Sequence, residues 1–189
     1  MPVPQPGTPG TMMASFTDRM IRAAQLEVSL YEEVEADRDA TGQALSVVVL
    51  SSLAAGVGAL SKIGMIGLVV GTFAALAGWF VWAFLTYWIG TRVLPEPQTQ
   101  ANLGQLLRTT GFSSSPGLLR IFGLIPGLWG PLILVTALWM LVAMVIAVRQ
   151  ALDYQSTFRA VGVCLLGWLL QWVFLLILYA ASPNSPTAI

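Results

Sequence analysis

From Ile63 to Thr91 the chain runs 29 residues without a charged side chain. Coiled as an α-helix, such a run is ~43 Å long, more than the ~30 Å hydrocarbon core of a bilayer. A helix that is apolar on all sides must be buried, and at this length lipid is what buries it. Thr41 to Leu60, Leu132 to Val148 and Ala160 to Ala181 are shorter runs of the same kind. In hydrocarbon every backbone polar group needs an internal partner, and a helix supplies one within its own segment. The expected fold is therefore all-α, a polytopic membrane helical bundle. Composition agrees: 10% of the residues are charged, against about 25% in soluble domains.

The 29-residue run exceeds one crossing, so tilt or a protruding end is expected. Tyr87 and Trp88 near its end suit the membrane interface. Gly67 and Gly71 form a G-x-x-x-G pair that Ala75 and Gly78 continue. Small residues at this spacing let helix backbones approach closely. Packing inside the monomer is the plain reading; contact between copies in a homo-oligomer is the other.

The stretch from Gln105 to Pro131 decides the topology. It is apolar, but Pro116, Arg120, Pro126, Gly127 and Pro131 interrupt it. Lys and Arg concentrate on the cytoplasmic side of membrane proteins, and this bias arbitrates. With a cytoplasmic N-terminus and five spans, Arg19, Arg22, Arg38, Arg92, Arg108, Arg149 and Arg159 lie inside and Lys62 outside, seven against one. With four spans the count is six against three. Five spans follow, the third running from Ser113 to Leu128. Pro116 falls in its first turn, where a missing N–H costs nothing. Pro126 and Gly127 end it, and Pro131 opens the next helix. A re-entrant segment is the rival arrangement. Arg120 would sit about two turns inside, and must reach toward the cytoplasm or find carbonyl partners.

Residues 1–14 are rich in Pro, Gly and Thr and read as a disordered tail. Residues 15–39 have helical periodicity, with Asp18, Arg22, Gln25, Ser29 and Glu32 on one face and Phe16, Met20, Ala23, Leu30, Tyr31 and Val34 on the other. This predicts one amphipathic helix of roughly five turns. From Glu27 to Asp39 there are six acids and one Arg. Anionic lipid repels such a face. The helix is expected to pack on the spans, or to meet a protein partner through Tyr31, Glu32, Glu33 and Glu35. The five spans occupy 40–182, and 183–189 form a short tail. Leu103 to Thr110 reads as a short helix with Gly111 as its C-cap, and Ser156 or Thr157 as the cap of the last span. The first long apolar run begins near Gly42, too far in for a signal peptide.

Catalytic chemistry is sparsely provided for. There is no histidine and one cysteine, Cys164, inside an apolar run. An intramolecular disulfide and a Cys/His zinc site are excluded, and a Ser-His enzyme lacks its base. No Asp or Glu lies in a proposed span; Glu96 and Asp153 are in loops. Paired-carboxylate catalysis and proton- or cation-coupled carriage need such groups at mid-depth. Ser61 and Lys62, adjacent on a turn, make a poor nucleophile and base pair. Nine basic and nine acidic residues give no global field for nucleic acid. No catalytic residue, cofactor or metal is expected. Gln171, between Trp168 and Trp172, reads as an interhelical hydrogen-bonding residue or a substrate contact. For Arg120 the candidate partners are a lipid phosphate, the acidic helix and Gln171.

Several loose motifs become specific through their order. Ser29-Leu30-Tyr31-Glu32-Glu33-Val34-Glu35-Ala36-Asp37 leads into Gly42-Gln43-Ala44-Leu45. Leu106-Leu107-Arg108-Thr109-Thr110-Gly111-Phe112 precedes Ser115-Pro116-Gly117-Leu118-Leu119. Ile125-Pro126, Leu138-Trp139, Ala147-Val148-Arg149-Gln150-Ala151-Leu152 and Thr157-Phe158-Arg159-Ala160 follow. Over residues 16–181 the chain resembles the Yip family (Ypt/Rab-interacting membrane proteins) in its short bacterial form. The resemblance implies a cytoplasmic N-terminus, five spans and an integral protein of the bacterial cytoplasmic membrane without known catalysis. Eukaryotic relatives carry Leu-Tyr-Gly-Pro before the first span and act with small GTPases in vesicle trafficking; here Glu32 and Glu33 stand where Gly-Pro would follow. The functional expectation is a non-enzymatic organising or partner-binding factor among membrane lipids. The alternatives are a small permease or channel for a neutral or lipid-like substrate, gated by the broken third span, and an accessory subunit of a larger membrane complex.

Overall fold

The computed structural model describes residues 15–180, and side-chain surroundings as far as residue 173. The expected tails, 1–14 and 183–189, lie outside the described residues. Within them the fold is an all-α helical bundle with no strand. Three helices are long and apolar enough to cross a membrane: Ala40–Gly58, Leu60–Val93 and Trp129–Ala151.

The single amphipathic helix expected over 15–39 is two helices. Ser15 accepts from the Asp18 N–H and starts α1, Phe16–Ala24. The chain then folds back through Leu26, whose φ is 63°, and resumes as α2, Val28–Ala36. Glu27, the first of the six acids, sits at this break. The fold-back brings Arg22 onto Glu27 at 3.0 Å and onto Glu33 at 2.7 Å.

α3, Ala40–Gly58, follows, and buries a face that includes Ala44, Val47, Ser51 and Gly58. α4, Leu60–Trp88, covers the long charge-free run, but Gly64 (φ 65°) breaks its first turn. Its outer face is open: Ile66 is 82% and Phe73 70% exposed, as lipid-facing residues are. At its other end a π-helical turn, Ile89–Val93, leaves carbonyls that the chain satisfies elsewhere. The Tyr154 hydroxyl lies 2.9 Å from the Gly90 carbonyl and 2.7 Å from that of Leu94.

α5, Leu103–Phe112, starts with a full capping box between Asn102 and Gln105. Gly111 is not its C-cap. It is inside the helix and buried, because a side chain there would meet Ala44 of α3: a Cβ would come 2.7 Å from the Ala44 Cβ. The segment expected to cross over 113–128 contains a 3-10 helix, Ser115–Leu124, with Pro116 in its first turn. A turn through Gly127 (φ 85°) leads to α6, Trp129–Ala151, with Pro131 in its first turn. α7, Thr157–Ala180, completes the fold. Among the described residues neither Ser156 nor Thr157 caps it with a hydroxyl. The Glu96 carboxylate accepts instead from the N–H groups of Gln155 (2.9 Å) and Ser156 (3.3 Å).

The 3-10 helix explains its own geometry. Three residues per turn place Gly117, Arg120 and Gly123 on one line, whereas α-helical winding would spread them around the axis. That line faces α3. A Cβ on Gly117 would strike the Ser51 hydroxyl, and one on Gly58 would strike the Arg120 carbonyl. Ala44, Ser51 and Gly58 are spaced by seven, so they form one small-residue stripe along α3 that receives α5 and the 3-10 helix. The glycines singled out on α4 do not pack this way. A Cβ on Gly71 or Gly78 meets nothing within 4 Å, and one on Gly67 meets only Ile63 of its own helix.

Candidate functional site

Two places gather polar side chains. The first is the end of the bundle where α1 and α2 dock. Arg19, 5% exposed, donates to Glu33 at 2.8 Å and pairs with Asp37 at 2.8 Å, and its third contact is the Gln43 side chain at 3.0 Å. Leu30 and Tyr31 are fully buried, and the Tyr31 hydroxyl donates to the Ala23 carbonyl at 3.3 Å. Trp139, about three turns before the end of α6, donates from its indole N–H to the Ala24 carbonyl at 2.7 Å. α1 therefore lies against the flank of the bundle and does not float on a surface.

Beside this anchor is a polar cleft of about 530 Å³, lined by Glu32, Glu35, Gln105, Arg149, Gln150 and Asp153. Gln150 donates to Glu32, and Gln105 to Glu35, each at 2.8 Å. Three carboxylates face one guanidinium here. Burial first, and then the charge of Asp153, push the Glu35 carboxyl up to about 7.

The second place is a cavity of about 260 Å³ inside the bundle, lined by Arg120, Gln171, Ser51, Ser52, Thr110 and Trp82, among others. Arg120 donates from Nε to the Thr136 hydroxyl at 2.8 Å, and Thr136 passes its own proton to the Leu132 carbonyl at 2.7 Å. Among the described residues no carboxylate lies within ion-pairing distance of Arg120, and Gln171 makes no side-chain hydrogen bond. On the far side of Trp82 lies an apolar groove of about 670 Å³ between α6 and α7, lined by Leu134, Leu138, Val145, Val161, Leu165 and Trp168.

With this geometry in view, the comparisons are specific. A family model described as the Yip1 domain matches residues 28–180. The chain belongs to the Yip1 domain family. No curated protein and no solved structure matches it. The Yip1 domain begins at the first residue of α2 and ends at the last described residue of α7. The acidic cleft and the inner cavity thus both belong to it, while α1 precedes it. With its apolar helices, this Yip1 domain is an integral membrane protein.

The residues singled out from sequence fall into three groups in the Yip1 domain. Glu32 and Glu35 come together at the cleft, whereas Glu33 and Tyr31 are turned inward and hold α1 to α2. Arg120 and Gln171, 51 positions apart, meet at one cavity. Gly78 borders that same cavity, while Gly67 and Gly71 join neither place. Sequence reading missed Arg19, Arg108, Glu96 and Asp153. Arg108 carried a usable signal: a charged residue inside the motif Leu106-Leu107-Arg108-Thr109-Thr110-Gly111 is 6% exposed and bonded to main-chain carbonyls of α2.

Proposed function

We propose that this Yip1 family protein is a non-enzymatic organising factor of the bilayer that holds a protein partner at the end of the bundle formed by α2, α5 and the α6–α7 turn. The observation that carries the reading is the cleft with Glu32, Glu35 and Asp153 around a single Arg149. Its excess of acid suits a basic side chain of a partner. Glu33 is not part of this surface, because Arg19 and Arg22 occupy it. Blue-native migration of the protein in native membranes tests the reading. Wild type should run above its monomer, and Glu32→Gln with Asp153→Asn should lower that mass. Equal migration of the two would remove the cleft from partner binding.

The topology that goes with this reading has five crossings, a cytoplasmic N-terminus and a place in a bacterial cytoplasmic membrane. α5 and the 3-10 helix have ten residues each. At 1.5 Å and ~2.0 Å rise per residue they reach ~35 Å together, enough for one crossing. Thiol labelling of Leu128→Cys and Gln155→Cys should come from opposite sides of the membrane; labelling of both from one side would refute five crossings.

A second reading is a small permease for a lipid-like substrate, and the cavity shared by Arg120 and Gln171 favours it. Flux of a lipid across vesicles that contain the purified protein tests it.

A further inference from the structure

We propose that the inner cavity and the α6–α7 groove together form a binding site for one monoanionic lipid, its phosphodiester at Arg120 and Gln171 and an alkyl chain in the groove. This rests on the reading of the bundle as membrane-embedded, and not on transport or on the partner cleft.

Charge carries the first step. Arg120 is a cation in the part of the chain assigned to the bilayer, and Thr136 neutralises none of its charge. A guanidinium in low dielectric requires an anion or water, and among the described residues no carboxylate pairs with it. Arginine recognises phosphate through two parallel N–H donors, and among the described residues Nε alone is engaged. Gln171 and Ser51 border the same volume as neutral donors, while the Ser52 and Thr110 hydroxyls there donate to the Val49 and Leu106 carbonyls of their own helices. One positive charge with neutral company matches one negative charge.

Size carries the second step. The cavity, about 260 Å³, falls below the ~300–1,000 Å³ of pockets that enclose a whole small ligand. It holds a head group and leaves the remainder of the molecule to lie elsewhere. The groove is larger, about 670 Å³, and its walls are aliphatic and aromatic. Trp82 lines both spaces. Its indole N–H is directed to the Met144 sulfur at 3.2 Å, and the ring stands as the divider between the space that holds Arg120 and Gln171 and the apolar groove. A molecule with an anionic head and an alkyl tail spans that divider. A free phosphate ester uses only one side of it.

The test uses the purified full-length protein in a neutral detergent, titrated with phosphatidylglycerol, with phosphatidylcholine of the same chains, and with glycerol phosphate. Tryptophan fluorescence reports binding near Trp79 and Trp82, and native mass spectrometry counts the lipid retained. Phosphatidylglycerol should bind one per chain and about tenfold tighter than phosphatidylcholine. Arg120→Gln keeps a donor for Thr136 and loses the charge, and should abolish that preference. Gly78 borders the cavity and a Cβ on it meets nothing within 4 Å, so Gly78→Leu takes up cavity space while Arg120 keeps its charge, and should weaken phosphatidylglycerol binding about tenfold as well. The site is refuted if Arg120→Gln retains the preference, if Gly78→Leu binds as wild type does, or if glycerol phosphate binds as tightly as the lipid. Should Arg120→Gln fail to fold, Gly78→Leu decides alone. Binding without flux would leave this site standing and remove the permease reading.

Discussion

Arg108 of α5 donates from Nε to the main-chain carbonyl of Val34 at 2.8 Å, across 74 positions of sequence, and from Nη2 to the carbonyl of Glu35. These are last-turn carbonyls of α2, which no residue of α2 can satisfy. A cation at a helix C-terminus also meets the negative end of its dipole. α5 thus caps α2 in trans, and docking of the N-terminal helices depends on a buried side chain of the bundle. Arg108→Gln should loosen α2 by about 1.5–3 kcal/mol, the worth of hydrogen bonds to a charged group. Hydrogen exchange over Val28–Ala36 should accelerate while α6 keeps its protection. Unchanged exchange in α2 would show that the apolar contacts of Leu30 and Val34 suffice.

Arg19 is the hub of the second link, with Glu33 and Asp37 both at 2.8 Å. Removing one partner of a buried ion pair costs about 3–5 kcal/mol because the other charge is stranded. Here the acids keep 31% and 22% of their side-chain surface, so water offsets part of that cost and about 1–3 kcal/mol is expected for Arg19→Met. Glu33 keeps Arg22 as its partner at 2.7 Å, so the stranded charge is that of Asp37, and adding Asp37→Asn should return part of the loss. Thermal unfolding in detergent, followed by tryptophan fluorescence, reads both. If the double variant melts no higher than Arg19→Met, stranded charge is not the cause.

The helices that carry the bundle were visible in the sequence for one physical reason. Charge-free runs as long as Ile63 to Thr91 have a single stable environment. The ordered motifs from Leu30-Tyr31 to Thr157-Phe158 likewise pointed to the family that the chain belongs to. The break at Leu26 was hidden because periodicity records neighbours within a helix. It does not record Arg22 turning back onto Glu27 and Glu33. The packing stripe was hidden for a different reason: Ala44, Ser51 and Gly58 are three different small residues, while Gly67 and Gly71 look alike and drew attention to α4. That Arg120 and Gln171 border one cavity depends on the arrangement of the helices around it, which no local pattern encodes.

Glu35 makes the docked end sensitive to pH. Its carboxyl is raised from 4.5 to about 7, chiefly by burial and next by Asp153. An acid whose folded value lies above its unfolded one favours the folded state while it is protonated. That contribution is complete below pH 4.5 and is lost as the pH rises through about 7. The wild type should therefore lose thermal stability between pH 5 and pH 8 relative to Glu35→Gln, which keeps an acceptor for Gln105 and does not titrate. Parallel melting curves for the two proteins across that range would show that Glu35 titrates as an ordinary carboxylate.

The two sets of glycines predict opposite outcomes. Gly58 faces the Arg120 carbonyl, and a Cβ on Gly111 would come 2.7 Å from that of Ala44. Both contacts are backbone against backbone or against a methyl group that cannot rotate away. Gly58→Ala and Gly111→Ala should each push the 3-10 helix or α5 off α3, at about 1–3 kcal/mol by the usual cost of overpacking. Gly71 has nothing within 4 Å of a built Cβ and sits inside α4. Gly71→Leu should leave the monomer intact, or raise its stability by about 0.5–1 kcal/mol through helix propensity. Size-exclusion profiles and melting temperatures of the three variants in one detergent separate the cases. Tolerance at Gly58 and Gly111 would refute the stripe on α3. A fall in mass confined to Gly71→Leu would instead assign the α4 glycines to contact between copies of the chain.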